Sequence, residues 1–174
     1  DMPHLDLFSG IGGLALATEA VWDDVEHIIC DNDLFSQAII KKHWPNALIY
    51  GDIKELDGKK IGKVDLVTGG FPCQPFSSAG KRRGTEDDRH LWPDMLRLIR
   101  ECRPTYVLGE NVGGILTWSD GMVLETVLAD LEGEGYEVGA FIIPAAGVGA
   151  PHRRDRVWIA AHANGRADRG GARK

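Results

Sequence analysis

Cys73 stands between two prolines in the stretch Gly69-Gly70-Phe71-Pro72-Cys73-Gln74-Pro75-Phe76-Ser77-Ser78-Ala79-Gly80. Flanking prolines stiffen the backbone and so fix the direction of a nucleophile. A free thiol ionises near a pH of about 8.5, so only a few per cent is thiolate at neutral pH without help. Arg82, Arg83 and Arg89 follow in the same loop and offer the positive potential that would lower that value. Cys30 and Cys102 lie in an apolar strand pattern and a helical pattern, and read as buried, inert thiols. Three widely spaced cysteines with no CxxC exclude a disulfide framework and a cysteine-based zinc site, and favour a reducing compartment.

Four further groups carry polar chemistry. Glu110, in Glu110-Asn111-Val112, follows an apolar run and suits an acid or a hydrogen-bonding group in a cleft, or equally a turn cap. In Pro151-His152-Arg153-Arg154-Asp155-Arg156-Val157, Arg154 and Arg156 alternate across a strand start, which predicts that both point to one face while Arg153 points away. Planar guanidinium donors suit a base carbonyl or a phosphate. Asp6-Leu7-Phe8-Ser9-Gly10-Ile11-Gly12-Gly13 reads as a strand entering a glycine turn and a helix, where backbone can approach a ligand. Its spacing is neither GxGxxG nor a P-loop, and it serves as well for a tight structural turn. Asp31 and Asp52 close the second and third strands, where acids can accept from ribose hydroxyls and an adenine amino group. Asp33 and Asp57 read as ordinary turn or cap acids.

Positioning these residues requires a scaffold of alternating elements. Strand patterns occur at 4–8, 25–30, 47–50, 64–67, 105–108, 136–143 and 157–161. Helical patterns occur at 13–21, 34–43, 90–102 and 119–131, the last with Ser119 or Asp120 as N-cap, and a glycine-rich loop spans 69–88. The alternation predicts an α/β domain, a doubly wound and mostly parallel sheet with helices on both faces. In such a sheet, ligands sit at the carboxyl ends of the strands.

At 174 residues the chain is long enough for one domain with a real core. No apolar run is long enough for a membrane-spanning helix, and no secretory signal pattern is present. The net charge of -6 lies wholly in residues 1–68, while the later bases cluster at 81–83, at 153–156 and in the tail, where phosphate contacts are expected.

Taken in order, the DLFSGIGG turn, the GGFPCQPFS loop, Glu110-Asn111-Val112 and the RxR strand resemble the signature blocks of the cytosine-5 DNA methyltransferases of bacterial and phage type. The resemblance runs from about Leu5 to Ala161. It implies a Rossmann-like, S-adenosylmethionine-dependent methyltransferase fold that flips a cytosine out of double-stranded DNA. By resemblance, Phe8, Ser9, Gly10 and Gly12 line the S-adenosylmethionine pocket. Asp31 takes the place of a ribose-binding acid that is usually Glu. Asp52 meets the adenine amino group with Ile53 packing nearby, and Leu91 contacts the cofactor by backbone. Cys73 is the nucleophile, Glu110 engages the N3 and N4 edge of the cytosine, Arg156 reaches its O2, and Arg154 is its paired arginine. The product would be S-adenosylhomocysteine, and no metal is required.

His152 replaces the family's usual Gln, a change expected to be tolerated. The family's target-recognition region and later blocks do not follow. Residues 1–162 are therefore expected to be the catalytic domain and residues 163–174 a basic tail leading into missing sequence. The chain reads as a fragment or as the catalytic half of a split enzyme with a C-terminal partner chain, acting in the cytoplasm of a bacterial or phage-infected cell. Rival readings are a transfer RNA cytosine-5 methyltransferase and an idle S-adenosylmethionine-binding module. A nicotinamide-dependent oxidoreductase is opposed by the missing GxGxxG.

Overall fold

A computed structural model of the chain describes residues 1–72 and 91–165. Among them, β1 (Met2–Leu7), β2 (Val25–Cys30), β3 (Leu48–Tyr50), β4 (Leu66–Gly69) and β5 (Tyr106–Val112) form a parallel sheet. Beyond β5, β7 (Asp155–Ala163) inserts antiparallel between β5 and β6 (Tyr136–Pro144), so the sheet order is β3-β2-β1-β4-β5-β7-β6. The helices are α1 (Gly13–Glu19), α2 (Leu34–His43), α3 (Gly58–Ile61), α4 (Trp92–Cys102) and α5 (Met122–Gly133).

The strand period of two sorts side chains onto the two faces. Ile28 and Cys30 of β2 join a large apolar core with Leu5, Leu7, Val67 and the buried side of α4. Ile29 between them faces the other way and packs with Ala15 of α1 and Ile40 of α2. Helices therefore cover both faces, as the alternation of elements predicts.

Several boundaries differ from the sequence pattern by one or two residues, as for β4 at 66–69 rather than 64–67 and β7 at 155–163 rather than 157–161, and three further differences matter here. β5 continues to Val112 because β7 pairs with it throughout, so Glu110 lies within the strand rather than after it. α5 starts at Met122 with Gly121 as N-cap. Ser119 and Asp120 precede it in left-handed conformation (φ 49° and 56°) and cap nothing. α3 has only four residues and carries too little apolar period to be seen, although Asp57 caps it. Asp33 likewise caps α2, accepting from the backbone N–H and hydroxyl of Ser36.

The α1 side of the sheet buries a row of polar groups. Asp6 Oδ1 lies 2.6 Å from Thr68 Oγ1, which lies 2.7 Å from His4 Nε2. His4 Nδ1 is 3.0 Å from His27 Nδ1, and His27 Nε2 is 3.2 Å from Glu19 Oε1. Counting donors leaves two consistent arrangements with the same number of protons. In one, Asp6 is protonated, both imidazoles are neutral, and every donor points towards Glu19. In the other, Asp6 is ionised, His27 is an imidazolium, and the bonds from Asp6 to His27 reverse. Burial favours the first, because it disfavours charge at both ends. It raises Asp6 to about 7; donation from the Thr68 hydroxyl to Asp6, which belongs to the second arrangement, opposes the rise, and the nearby Asp31 adds to it. Burial lowers His4 to about 3, with His27 adding, and lowers His27 despite Glu19.

The turn after β1 shows where glycine is required. Gly12 has φ +91°, and a Cβ there would lie 2.5 Å from the Trp44 ring and 2.8 Å from Ile40 Cδ1. Gly13 has open space in the Cβ direction. Gly12→Ala is therefore expected to lower stability by about 2 kcal/mol or more, while Gly13→Ala, at the start of a helix, is neutral or stabilising by up to about 1 kcal/mol. Urea unfolding of the two variants checks this; equal effects would show that Trp44 does not sit over Gly12.

The buried row gives a pH dependence whose sign can be worked out. Between about pH 3 and 6.5 the unfolded His4 binds a proton that the folded one does not, so stability rises with pH across that window. Between about 3.8 and 7 the folded Asp6 keeps a proton that the unfolded one has lost, so its contribution falls as pH rises. The two oppose each other, and His27 adds to the His4 side. Asp6→Asn should therefore steepen the rise of Tm between pH 4 and 6.5. Thermal melts at constant ionic strength test this, and an unchanged slope would mean that Asp6 is ionised in the folded protein.

Candidate active site

β1 and β4 are neighbours in the sheet, but the chain leaves them towards opposite edges, and a crevice opens between their carboxyl ends. A cavity of about 410 Å³ fills it. Its walls are Phe8 after β1, residues 30–32 after β2, residues 51–54 after β3, Gly70 and Pro72 after β4, and Leu91 before α4. Five residues singled out from the sequence as cofactor contacts, namely Phe8, Asp31, Asp52, Ile53 and Leu91, thus meet around one space.

Asp31 is held from two sides. Its Oδ2 accepts from the Gly10 N–H at 2.7 Å and its Oδ1 from the Asp33 N–H at 2.9 Å. Its own N–H donates to the Tyr50 carbonyl. A carboxylate has about four acceptor positions, so capacity remains for a ligand's hydroxyls. Asp52 Oδ1 accepts from the Lys54 N–H at 2.9 Å, which orients the carboxylate at the foot of the cavity wall. The N–H of Leu91 donates to the Pro72 carbonyl at 3.2 Å, so that group is engaged within the protein rather than offered to a ligand.

Ser9 and Gly12 are not among the cavity walls. Gly12 faces Trp44, and its role there is to let the turn pass beneath the ring. Ser9 is buried, and its Oγ has no hydrogen-bond partner among the described residues; Asp6 Oδ2, below the same turn, has none either. Such buried polar atoms carry a desolvation cost that a bound polar group can relieve.

Behind Gly70 lies an ion pair. Glu110 Oε1 on β5 accepts from Arg156 Nε on β7 at 2.8 Å, both side chains being about three-quarters buried. A Cβ on Gly70 would lie 3.1 Å from Glu110 Oε2, so the glycine lets the carboxylate come up against the cavity wall. Arg156 Nη1 also donates to the Asp155 carbonyl, which fixes the plane of the guanidinium.

Arg154 does not share this face. It precedes β7, is exposed, and has φ +40°, so the strand alternation expected of Arg154 and Arg156 does not reach it. The short turn at residues 145–150 causes this: the Ala145 N–H donates back to the Arg153 carbonyl at 2.7 Å and bends the approach to the strand. Arg153 pairs with Asp155 at 3.2 Å on the exposed surface.

Cys73 lies outside the described residues, as do Arg82, Arg83, Arg89 and residues 166–174 of the tail. The residues that lead to Cys73 are fixed in three ways. Asn111, buried beside Glu110, donates from Nδ2 to the Phe71 carbonyl at 2.9 Å. The Phe71 ring packs on Trp92 (centroids 5.1 Å apart), whose indole N–H donates to Asp130 Oδ2 at 2.9 Å. Pro72 and Leu91 are joined by the backbone bond already described, so segment 73–90 departs and returns at one point. Sequence reasoning did not assign these anchoring roles to Asn111 and Trp92; an amide directly following the strand acid was the available signal.

The two described thiols are poor nucleophiles. Burial pushes Cys30 up to about 12, with the carboxylates of Asp31 and Asp52 adding, and it donates to the Gly51 carbonyl. Burial and Glu101 push Cys102 up to about 11 against Arg97.

A larger cavity, about 550 Å³, lies at the amino ends of β1 and β2 around Glu19, His27 and Trp44, and none of the sequence-predicted site residues lines it. Among the described residues no group of three His, Cys, Asp or Glu side chains is placed to hold a metal ion, and no helix is long and apolar enough to cross a membrane.

The sequence model of C-5 cytosine-specific DNA methylases matches residues 2–169. The chain is 33% identical over 162 residues to the Type II methyltransferase M.NlaX of Neisseria lactamica, covering 92% of this chain and 52% of that protein. It is 33% identical over 157 residues to the Type II methyltransferase M.HhaI of Haemophilus parahaemolyticus, covering 89% and 47%. The fold is similar to a crystal structure of a putative DNA modification methyltransferase encoded within an Escherichia coli prophage, with TM-score 0.77 and 26% identity over 94% of this chain and 47% of that one. It also matches Spodoptera frugiperda DNMT2 in fold, with TM-score 0.82 at 23% identity, over 100% of this chain and 54% of that one. The chain thus spans about half the length of these relatives.

The state of the thiols gives a direct test. Brief iodoacetamide treatment of the native protein at pH 8 should leave Cys30 and Cys102 unmodified, and both should react once urea is added. Peptide mass spectrometry reads the result; fast native labelling of Cys30 would contradict its place behind the two acids.

Proposed function

We propose, since the chain belongs to the C-5 cytosine-specific DNA methylase family, that it is the catalytic part of an enzyme that methylates C5 of cytosine in DNA. The observation that most supports this is the Glu110–Arg156 pair lying against the Gly70 wall of an acid-flanked cavity, where segment 73–90 begins and ends. S-adenosylmethionine fits that cavity. Asp31 would accept from its ribose hydroxyls and Asp52 from its adenine amino group, with Phe8, Ile53 and Leu91 as apolar walls. When bound, it supplies the electrophilic methyl group.

C5 of cytosine is a weak nucleophile, and the protein's part is to make it a strong one. The Cys73 thiolate adds to C6, which breaks the C5–C6 double bond and places electron density on C5 and N3. Glu110 holds the N3 and N4 edge and stabilises that density by hydrogen bonding or proton donation, while Arg156 donates to O2. Two of the five guanidinium donors are committed to Glu110 and Asp155 among the described residues, which orients the rest. After C5 is alkylated, loss of its proton restores the double bond and expels Cys73 as thiolate.

The cytosine must leave the duplex to lie beside Gly70, at a cost of a few kcal/mol of unstacking. Arg154, exposed before β7, would meet DNA rather than the reacting atoms. Reading of a particular DNA sequence is assigned to a C-terminal part, in the same chain or a partner chain, corresponding to the half of the relatives that this chain does not span. The same proposal puts its action in the cytoplasm of a bacterial or phage-infected cell, in line with its bacterial Type II methyltransferase relatives.

The test is trapping on a duplex that carries 5-fluorocytosine, whose fluorine blocks the final proton loss. The chain alone, and the chain extended with the C-terminal half of a relative, are mixed with S-adenosylmethionine and DNA, with Cys73→Ser as control and an RNA carrying the same base alongside. A slower-migrating adduct that needs Cys73 and DNA is expected, at least for the extended protein. On ordinary DNA, Glu110→Gln should lower turnover by roughly 10²- to 10⁴-fold. An adduct that survives Cys73→Ser, forms on RNA only, or fails to form in either protein would overturn the assignment.

A further inference from the structure

We infer that Arg97, on the second turn of α4 and outside the cavity, is a positioning residue that sets the adenosine-facing wall of the cavity against the wall formed by Pro72 and Leu91; this rests on the S-adenosylmethionine reading above. Its guanidinium reaches across to the loop that follows β3. Nη2 donates to the Ile53 carbonyl at 2.8 Å, and Nη1 donates to the Leu56 carbonyl at 2.8 Å. Nη1 also lies 3.2 Å from Glu101 Oε2, one turn along the same helix. Glu101 Oε2 in turn accepts from the Gly58 N–H at 2.8 Å. Three backbone points of one loop are thus tied to a single ion pair on a single helix.

The fit at the loop's far end is close. A Cβ on Gly58 would lie 2.7 Å from Glu101 Cβ and 3.0 Å from Cys102 Sγ, so the backbone rests directly on α4. The loop has little other structure: two turns bonded from Glu55 to Asp52 and from Leu56 to Ile53, then α3 with four residues. Ile53 and Leu56 are buried, and Asp52 and Ile53 wall the cavity. The residue before α4, Leu91, walls the same cavity and bonds Pro72, the last described residue before Cys73. Six residues of helix, about 9 Å, separate Leu91 from Arg97. One rigid rod therefore holds the cofactor wall at one point and the foot of the nucleophile segment at another.

The residue type matters. Only a planar guanidinium can donate to two carbonyls and a carboxylate from one half-buried position; a lysine ammonium concentrates its donors on one atom. Arg100, on the same helix, pairs instead with Glu134 away from the cavity and serves as the control.

The experiment has two readouts on the 174-residue chain: hydrogen exchange without ligand, and titration calorimetry with S-adenosylmethionine and with adenosine. The variants are Arg97→Lys, Arg97→Ala and Arg100→Gln. In the Arg97 variants, exchange should quicken at the amides of Glu55, Leu56 and Gly58 and stay unchanged in β1, β4 and β5. Affinity for both ligands should fall about tenfold or more, the size of losing charge-assisted hydrogen bonds, and added guanidinium ion should restore part of it in Arg97→Ala. Arg100→Gln should bind as the parent does. Unchanged exchange at 55–58 would overturn the clamp. Faster exchange with unchanged binding would overturn the positioning role, and exchange that quickens throughout would reduce Arg97 to general stability. Failure of the parent chain to bind S-adenosylmethionine would instead count against the cofactor reading, while the exchange result would still decide the clamp.

Discussion

The parallel pairing of β1 with β4 is the constraint on which the site depends. Each strand after the first, except β7, is reached by a crossover, and the two crossovers that leave β1 and β4 run in opposite directions. Among the described residues no backbone then closes the space beyond their ends. The glycine turn after β1 and the Gly70–Pro72 segment after β4 become opposite walls of one crevice. The acids after β2 and β3 flank it because those strands are next in order. On the other side β5 brings Glu110 level with Gly70, since Gly69 and Gly109 are paired in the ladder. Residues that lie between 20 and 100 positions apart meet for topological reasons before any side-chain contact is considered.

Much of this was legible. Strand ends carry the information, and Asp31, Asp52 and Glu110 are polar residues directly after or within apolar runs, which is where a doubly wound sheet displays its chemistry. The limits of β2 and α2 are those of the sequence pattern, because Cys30 and Pro45 lie near sharp changes in composition. Illegible features depend on partners distant in sequence. β5 runs past Leu108 only because β7 lies beside it, and an antiparallel neighbour some 50 residues away leaves no local mark. Arg154 read as a strand residue because alternation was extended one step too far into a turn. At Gly12 the sequence showed only a glycine turn, and that a ring from α2's end, Trp44, lies over it had no local mark. Arg97 sits in a helix whose apolar stripe is strong, and an arginine spaced four residues before a glutamate looks like ordinary surface pairing.

The acids of the cavity also decide the state of the thiol on its wall. Cys30 is on a wall of the cavity, yet burial and two neighbouring carboxylates keep it protonated. A wall that carries two carboxylates cannot also activate a thiol set beside them. Cys73, the nucleophile of the proposed reaction, follows Pro72 in sequence and is itself followed by Arg82, Arg83 and Arg89.

The polar row beneath α1 also bears on how the sheet assembles. His4 faces Leu66 in the ladder and Asp6 faces Thr68, with His27 paired to His4 on the other side. A slip of one residue in β1 would turn Asp6 and His4 into the apolar core and bring Leu5 and Leu7 against Thr68 and His27. Every member of the row would then lose its partner in a medium that cannot replace it. The fully apolar strands usual in parallel sheets tolerate such slips more readily, because one branched side chain resembles the next. Four buried polar side chains thus act as a key that admits one alignment of the central strands.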